Sequence, residues 1–373
     1  MNKTMSDNSE ITTEYPLRSI YFYPTESCNL RCIHCWVYPF HAPDAYTYQT
    51  QNRNNVTVET MDKVVRDALP LGLGHVKLTG GEPLLNPTFF EYMDCFSSYG
   101  LSLSIETNGT LITDDVAKRL TTYNIRHIST SLDGSNTQVH ETIRRVKGSF
   151  QRVLDGVRSL VDNGIYPQII FCLQQLNAHD LENTIQLAYG MKIRSFEINP
   201  VVMTATNTSS GNRCQSLTVE ELLRLEKMIE GEFADRYPNM HIDLYIPPAL
   251  KSIRELARHA FCSCNIFNIC GILSNGEVSV CGIGRRKKQL VMGNVKEKSI
   301  VRIWHEGKIF KDIRNKIPQR MQGICGKCLF KQHCLGFCRA DALYSGHSLL
   351  TPNDLCEAVY QKGMFPVSRT MSQ

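Results

Sequence analysis

The stretch RSIYFYPTESCNLRCIHC, residues 18–35, joins an apolar segment to three closely spaced cysteines. Residues 18–25 are rich in Ile, Tyr and Phe, which is typical of a β-strand, and Cys28, Cys32 and Cys35 follow in a C-x3-C-x2-C loop. Three thiolates bind three irons of a [4Fe-4S] cube and leave the fourth iron open. A zinc site would have to recruit His34 or a distant residue as its fourth ligand. The loop therefore predicts a cluster with one open iron.

Beyond this loop, short apolar strands alternate with segments of helical periodicity. The predicted strands lie at 18–25, 75–80, 101–109, 127–134, 168–175 and 195–200. The predicted helices lie at 58–69, 89–100, 114–123, 149–164 and 181–191. This alternation predicts an α/β fold, a partial (β/α)6 barrel of the TIM type whose chemistry lies in the loops after the strands.

The 373 residues divide by composition into a barrel-sized domain and a smaller cysteine-rich one. The predicted parts are a disordered tail at 1–14, the barrel at 15–210, a helical linker at 211–258, the cysteine-rich domain at 259–360 and a second tail at 361–373. A helix at 219–237 leads into the cysteine-rich domain.

Composition excludes several classes of protein. The net charge of +5 is too small to indicate nucleic-acid binding, and no long apolar run or signal peptide indicates a membrane or secreted protein, so we expect a cytoplasmic one. Fifteen cysteines then indicate metal or redox chemistry more than a disulfide scaffold. We expect the isolated Cys95, Cys172 and Cys214 to be buried or inert thiols.

A GGEP motif follows the second predicted strand. It comprises Gly80, Gly81, Glu82 and Pro83. Together with the three-cysteine loop it resembles the radical S-adenosylmethionine (SAM) superfamily, in which this motif contacts the methionyl amino group of the cosubstrate. Glycines let the backbone approach a ligand closely, and a carboxylate accepts from an ammonium group.

Further matches follow the third and fourth strands. Glu106 and Asn108 lie in a segment that resembles the ribose-contacting part of the family, Ser131 ends the fourth strand, and Arg144 resembles the arginine that binds the methionyl carboxylate. The resemblance implies reductive cleavage of SAM to methionine and a 5'-deoxyadenosyl radical, which abstracts a hydrogen atom from an unactivated carbon.

The C-terminal cysteines resemble the SPASM domain of sulfatase maturases and peptide-modifying radical enzymes, so the resemblance runs from about Tyr15 to Cys356. It implies an outer auxiliary cluster on Cys325, Cys328, Cys334 and Cys356, and an inner one on Cys264, Cys281 and Cys338. Cys270, Cys262 or an open iron would complete the inner cluster. Three [4Fe-4S] clusters and SAM are thus the expected cofactors, and a pair of zinc ribbons is the alternative.

The resemblance implies a ribosomally made precursor peptide as substrate, modified by cross-linking, epimerisation or excision. Gly276 and Cys281 form a G-x4-C motif. Sulfatase maturases place an acidic residue directly after this cysteine, whereas Gly282 follows Cys281 here, which argues against formylglycine formation. Flavodoxin or ferredoxin would supply electrons. The residues before the barrel are too few for a leader-binding domain, so a separate leader-binding protein or a groove would hold the peptide.

The insertion at 37–57, with Trp36 before it, is a candidate for that groove. No proton or hydrogen donor is singled out among four candidates at the barrel mouth, Tyr38, His41, Cys172 and Glu197. Two alternatives remain: an enzyme that oxidises or epimerises a small molecule such as an aminosugar, and a non-catalytic zinc-binding protein.

Overall fold

The computed structural model describes residues 14–35, 40–42, 47, 54–201, 214–258, 264–285, 287–344 and 347–371. Ten of its strands form one sheet. They are β1 (Ser19–Phe22), β2 (His75–Leu78), β3 (Ser102–Thr107), β4 (Ile125–Ser131), β5 (Gln168–Leu173), β6 (Ser195–Pro200), β7 (His241–Leu244), β8 (Ile269–Ile272), β9 (Glu277–Ser279) and β10 (Gly293–Asn294).

The strand order is β10-β9-β8-β1-β2-β3-β4-β5-β6-β7. The pairs from β8 through β1 to β7 are parallel, and β9 and β10 add antiparallel strands at one edge. The predicted α/β fold with a parallel sheet is confirmed, because β1 to β6 are the six expected strands in chain order.

Helices lie between the parallel strands and also follow β10, the last strand of the sheet. They are α1 (Val58–Ala68), α2 (Phe89–Ser98), α3 (Asp114–Leu120), α4 (Thr137–Arg144), α5 (Ser149–Asp162), α6 (Leu181–Gly190), α7 (Val219–Met228), α8 (Ala234–Arg236), α9 (Ile253–Arg258), α10 (Ile300–Glu306), α11 (Lys308–Lys316), α12 (Gly323–Lys327), α13 (Lys331–Cys334), α14 (Arg339–Tyr344) and α15 (Asp354–Gln361). A π-helical segment, Ile229–Phe233, joins α7 to α8.

Two elements differ from the prediction. The segment 211–258 is not purely helical, because β7 lies within it and pairs with β6. The helix α4 was not expected either; the Asn136 side chain caps it by accepting from the Val139 amide at 3.1 Å.

The two faces of the parallel strands differ sharply in polarity. On β1 and β2, Ile20, Phe22, Val76 and Leu78 are fully buried in a core shared with helices α1 and α2. The residues between them point to the opposite face and are partly exposed. Since side chains alternate along a strand and the helices cover one face, the other face lines the lumen of the partial barrel.

The C-terminal region joins the barrel edge to edge, because β8 pairs with β1 over Ser19–Phe22. A separate apolar cluster in this region includes Ile266, Ile313 and Met321. No helix in the described part of the chain is both long and apolar enough to cross a membrane.

Candidate functional site

The three-cysteine loop leaves β1 and is fixed at both ends. A two-residue strand, Ser27–Cys28, pairs with Phe40–His41. Farther along, the amides of Arg31 and Ile33 donate to carbonyls of Arg144 and Ile143, at 3.1 and 3.0 Å. The loop therefore rests on the C-terminal end of α4, the helix that sequence reasoning missed.

The loop environment favours a bound cation over free thiolates. Burial raises the pKa values of both the Cys28 and the Cys32 thiol, and neighbouring Cys32 raises that of Cys28 further. The Leu30 amide donates to Cys28 Sγ at 3.4 Å, as is common around ligand sulfurs. A metal cluster would supply the positive charge that deprotonated thiols need here, so the loop fits an iron–sulfur cluster.

The GGEP segment packs tightly against this loop. The amides of Gly81 and Glu82 donate to the carbonyls of Thr25 and Ser27, at 3.2 and 2.8 Å. A Cβ added at Gly81 would lie 2.0 Å from the Ser27 oxygen, so only glycine fits. The motif thus requires a glycine for its approach to the cluster loop.

Glu82 itself is fully buried. Its carboxylate accepts from the Thr107 hydroxyl at 2.7 Å, the Asn108 amide at 2.7 Å and the Leu84 amide at 3.2 Å. Burial raises its pKa to about 7, against the effect of these donors. The side chain thus ties the motif to the end of β3, and its expected contact with an ammonium group stays a prediction.

Asn108 and Glu106 lie at the end of β3 as expected. The side-chain nitrogen of Asn108, Nδ2, donates to Asn29 Oδ1 at 2.8 Å and lies 3.8 Å from Cys28 Sγ. Glu106 forms an ion pair with Lys77 and accepts from the Thr79 hydroxyl at 2.8 Å. Burial alone would raise the Glu106 pKa, but Lys77 outweighs it and the pKa is lowered, so this carboxylate is ionised.

Arg144 is buried beside the second cysteine of the loop, and Ser131 ends β4 partly exposed. The Arg144 Nε atom lies 2.7 Å from Asp133 Oδ2, and Nη1 donates to Cys32 Sγ at 3.4 Å. Both Nε and Nη2 are buried with no hydrogen-bond partner among the described residues, so the contact of Nε with Asp133 is an ion pair without hydrogen-bond geometry. An unused guanidinium donor fits a carboxylate ligand such as that of SAM.

Sequence reasoning missed Asp133, although it lies in the sequence SLDG, residues 131–134, only two residues after Ser131. Burial would raise the pKa of this fully buried carboxyl group, but Arg144 and His34 outweigh it and lower the pKa. His34 Nε2 lies 3.9 Å from Asp133 Oδ2. Burial lowers the His34 pKa to about 4, so this ring is neutral near pH 7.

Four C-terminal cysteines gather around one cavity. Cys325, Cys328, Cys334 and Cys356 line it together with Pro247, Phe365 and other residues. Burial and the other three thiols raise the pKa of Cys356. Backbone amides donate to two of the sulfurs, from Asn353 to Cys325 at 3.3 Å and from Phe330 to Cys328 at 3.4 Å. Four converging thiols with backbone donors fit the outer cluster.

Of the cysteines expected around the inner cluster, the structure describes Cys264, Cys270, Cys281 and Cys338. A Cβ added at Gly271 would lie 2.7 Å from Cys281, so Cys281 packs on the Gly271 face of β8. Cys270 points to the opposite face and is fully buried in the barrel core. Its pKa is raised to about 12 by burial alone. The expectation of Cys270 as a ligand is therefore corrected, because strand alternation directs it away from Cys281.

The other inner-cluster cysteines also lie in the C-terminal region. Cys264 packs against the apolar cluster around Met321, and Cys338 follows Phe337, whose φ is 61°. Cys262 lies outside the described residues. The amide of Gly282, directly after Cys281, donates to the Tyr23 hydroxyl at 2.8 Å, which brings this cysteine next to the end of β1.

The remaining candidates differ in position. Trp36 and Tyr38 lie outside the described residues, as does most of the insertion at 37–57. His41 belongs to a two-residue strand, and the Cys172 amide donates to Asp133 Oδ1 at 2.9 Å. Cys214 is fully buried, whereas Cys95 is partly buried and lies 3.9 Å from Asp62.

Glu197 faces the lumen from the middle of β6, opposite Asp243 in register on β7. Burial and Asp243 raise its pKa to about 7, while a hydrogen bond with Asn199 acts in the other direction. A carboxyl group with such a pKa can give or take a proton near neutral pH.

Comparisons with known proteins match both parts of the chain. A family model described as the radical SAM superfamily matches residues 22–188, and one described as an iron–sulfur cluster-binding domain, SPASM, matches residues 262–329. A heme synthase dependent on AdoMet from Methanosarcina barkeri is 24% identical, over 91% of this chain and 95% of its own. The mycofactocin maturase MftC of Mycobacterium tuberculosis is 23% identical, over 89% and 81%.

A solved structure shares the fold over most of this chain. Streptococcus suis SuiB bound to its precursor peptide SuiA superposes with a TM-score of 0.71 at 18% identity, covering 92% of this chain and 76% of that one.

Proposed function

The chain belongs to the radical SAM superfamily and carries a SPASM domain, and from this premise we propose that it cleaves SAM reductively and abstracts hydrogen from a ribosomally made precursor peptide. It is thus a radical SAM enzyme, and the two domains imply iron–sulfur clusters and SAM. The substrate and the bond that changes are our proposal.

The residues that would hold the first cluster and SAM surround the loop after β1. Cys28, Cys32 and Cys35 would ligate three irons. When bound, the cluster and SAM supply a carbon-centred radical. Arg144 would bind the SAM carboxylate through Nη2, which is buried and unused in the described structure. Asn108 and Glu106 would contact the ribose, and the GGEP motif with its carboxylate Glu82 would contact the amino group.

The SPASM domain would hold two further clusters. The cavity lined by Cys325, Cys328, Cys334 and Cys356 supports the outer one. Cys264, Cys281 and Cys338 would hold the inner one, with Cys262 or an open iron completing it. These clusters would accept the electron that remains after hydrogen abstraction, which suits an oxidised or cross-linked product.

The observation that carries the peptide proposal is the charged lumen. On its walls Lys77 and Glu106 form an ion pair, and Glu197 and Asp243 lie opposite each other in register. Closed barrels normally fill this space with branched apolar side chains. A partly exposed wall of ionisable groups is suited to the polar backbone and charged side chains of a peptide.

Partners follow from this proposal. MftC is a maturase, and SuiB was solved with a precursor peptide, which supports a peptide substrate for this related chain. Electrons would come from a flavodoxin or ferredoxin. A separate leader-binding protein would present the peptide if no groove of this chain does so.

A tetrapyrrole is the second candidate substrate, because relatives of similar coverage are heme synthases. As the small-molecule alternative, a tetrapyrrole takes the place of the aminosugar. A flat macrocycle with a large apolar surface fits the charged lumen less well than a peptide does.

The test is anaerobic reconstitution with iron and sulfide, followed by incubation with SAM and dithionite. Short peptides encoded beside this gene are added to one set of reactions and iron coproporphyrin to another, and products are read by mass spectrometry. We expect 5'-deoxyadenosine and a mass change in one peptide, such as the loss of two hydrogens for a cross-link. Running the reaction in D2O detects epimerisation, which leaves mass unchanged in ordinary water.

Three outcomes contradict parts of the proposal. A changed porphyrin with unchanged peptides would make the tetrapyrrole the substrate. If every peptide and the porphyrin stay unchanged while 5'-deoxyadenosine forms, the peptide proposal fails and the radical chemistry stands. Cys32→Ala is the control, and 5'-deoxyadenosine formed by that variant would contradict the cluster assignment.

A further inference from the structure

A buried ion pair stands directly behind the cluster loop. Asp133 has no exposed surface and Arg144 is 5% exposed, and Nε lies 2.7 Å from Oδ2. The same carboxylate accepts from the Cys172 amide at Oδ1, at 2.9 Å. Both charged groups are removed from water, and each compensates the charge of the other.

The donors to Cys32 Sγ and to Cys28 Sγ, the first cysteine of the loop, differ in charge. Its Nη1 donates to Cys32 Sγ at 3.4 Å. Cys28 Sγ instead has neutral donors, the Leu30 amide at 3.4 Å and the Asn108 side chain at 3.8 Å. Charged donors bind anionic acceptors about twice as strongly as neutral ones do. Cys32 therefore has a specific electrostatic support that depends on where Arg144 is held.

The three nitrogens of Arg144 have three different environments. Nε forms an ion pair with the Asp133 carboxylate without hydrogen-bond geometry, Nη1 donates to Cys32, and Nη2 is buried without an ion-pair or hydrogen-bond partner in the described structure. A planar guanidinium cannot rotate one nitrogen without moving the others. The anchor at Nε therefore fixes where Nη1 and Nη2 point.

We propose that Asp133 is a positioning residue: by holding Nε of Arg144, it directs Nη1 to the Cys32 thiolate and Nη2 to the carboxylate of the cosubstrate. This inference rests on the proposed function for the presence of the cluster and SAM. Asp133 also balances the charge of Arg144 next to the cluster. It touches neither ligand itself.

Two measurable properties depend on this arrangement. Without the Asp133 charge, the guanidinium is uncompensated beside the cluster; since reduction adds an electron, the reduction potential rises. Without the anchor at Nε, the guanidinium no longer has one fixed orientation, and SAM binding weakens.

The test compares Asp133→Asn with Asp180→Asn in the reconstituted full-length protein. Asparagine has one acceptor oxygen where Asp133 serves two groups, so the substitution removes the charge and one acceptor at similar volume. Asp180 is a matched control: it is 3% exposed and accepts from the Ser135 amide and hydroxyl, both at 2.7 Å. Iron content, thermal unfolding, the midpoint potential by EPR and the affinity for SAM from its effect on the EPR signal are measured.

For Asp133→Asn we expect a higher midpoint potential of the SAM-responsive cluster and SAM binding weaker by about tenfold or more, the usual loss for a hydrogen bond to a charged group. Asp180→Asn should keep both values. Unchanged SAM affinity, or a lower or unchanged potential, in a cluster-loaded Asp133→Asn protein would overturn the proposal.

A second variant covers the case in which Asp133→Asn does not load its cluster. Arg144→Lys keeps a positive charge opposite Asp133 but lacks the fork, so it should load the cluster and bind SAM weakly; wild-type affinity would overturn the proposal. The wild-type protein separates this test from the proposed function. If wild type shows no SAM-responsive cluster, the proposed function itself fails, whereas a wild type that responds keeps this test valid for any substrate.

Discussion

At the residue scale, Glu197 is a carboxyl group on the lumen wall whose pKa is shifted towards neutral pH. It faces Asp243 in register, and its pKa is raised to about 7 by burial and by that neighbour. We expect Glu197→Gln to keep SAM cleavage without added substrate and to lower substrate modification by about tenfold or more, as the loss of a positioned acid or base does. The two products are quantified by mass spectrometry in the same reaction.

The matched control is Glu182→Gln on the outer helix α6, where the side chain is half-exposed and pairs with Arg236. It should behave as wild type. Equal modification by Glu197→Gln and wild type would exclude Glu197 from substrate binding and proton transfer.

Glu226 predicts a pH dependence of stability. It is 4% exposed on α7, and Lys251 Nζ lies 3.5 Å away. Burial raises its pKa to about 7, and Lys251 only partly opposes this. Because the folded pKa exceeds the ordinary value of 4.5, the folded state holds this proton more tightly, so the group's contribution favours folding below about pH 4.5 and is lost as pH rises towards 7.

Glu226→Gln removes this titration and leaves Lys251 paired with Asp243 at 2.6 Å. The variant should therefore gain stability relative to wild type between pH 5 and 7.5, by about 3 kcal/mol at most from the size of the shift. Urea unfolding of the metal-free proteins at both pH values measures the gap, with exposed Glu220→Gln as control. A gap that is the same at both pH values would contradict the prediction.

At the scale of elements, the positions of two buried cysteines, one on β8 and one on α15, predict different roles for them. Cys270 on β8 faces the barrel core, whereas Cys356 on α15 lines the four-cysteine cavity. Cys270→Ala should keep the full iron content and lose about 1 kcal/mol of stability from a small cavity. Cys356→Ala should lose the irons of the outer cluster, about four per chain.

Iron and labile sulfide per chain, measured with the melting temperature, distinguish the two variants. Loss of about four irons from Cys270→Ala would make it a ligand and would require β8 to be rearranged.

At the scale of the whole molecule, the count of clusters is open to direct measurement. Two domains with eleven candidate cysteines predict three clusters, and removing Cys270 leaves ten. We expect a brown protein with about twelve irons per chain after anaerobic reconstitution. A content of about four irons and two zinc ions per chain would indicate zinc ribbons in place of the auxiliary clusters. A colourless protein that contains zinc would support the non-catalytic alternative.

The sequence by itself determined β1 to β6, five of their helices and the cysteine loop after β1. Apolar alternation and helical periodicity are local properties, so the sequence alone reveals them. The family resemblance added the four cysteines Cys325, Cys328, Cys334 and Cys356, which the structure brings to one cavity.

Only the tertiary structure decided which way several side chains face and which distant segments join the sheet. The strands β7 and β8 lie in segments that were predicted to be a helical linker and a cysteine-rich domain, and they become strands by pairing with β6 and β1. Pairing also fixed the register that turns Cys270 into the core. The Asp133–Arg144 pair and the charged lumen arise because parallel strands bring residues distant in sequence to one end and one face of the sheet.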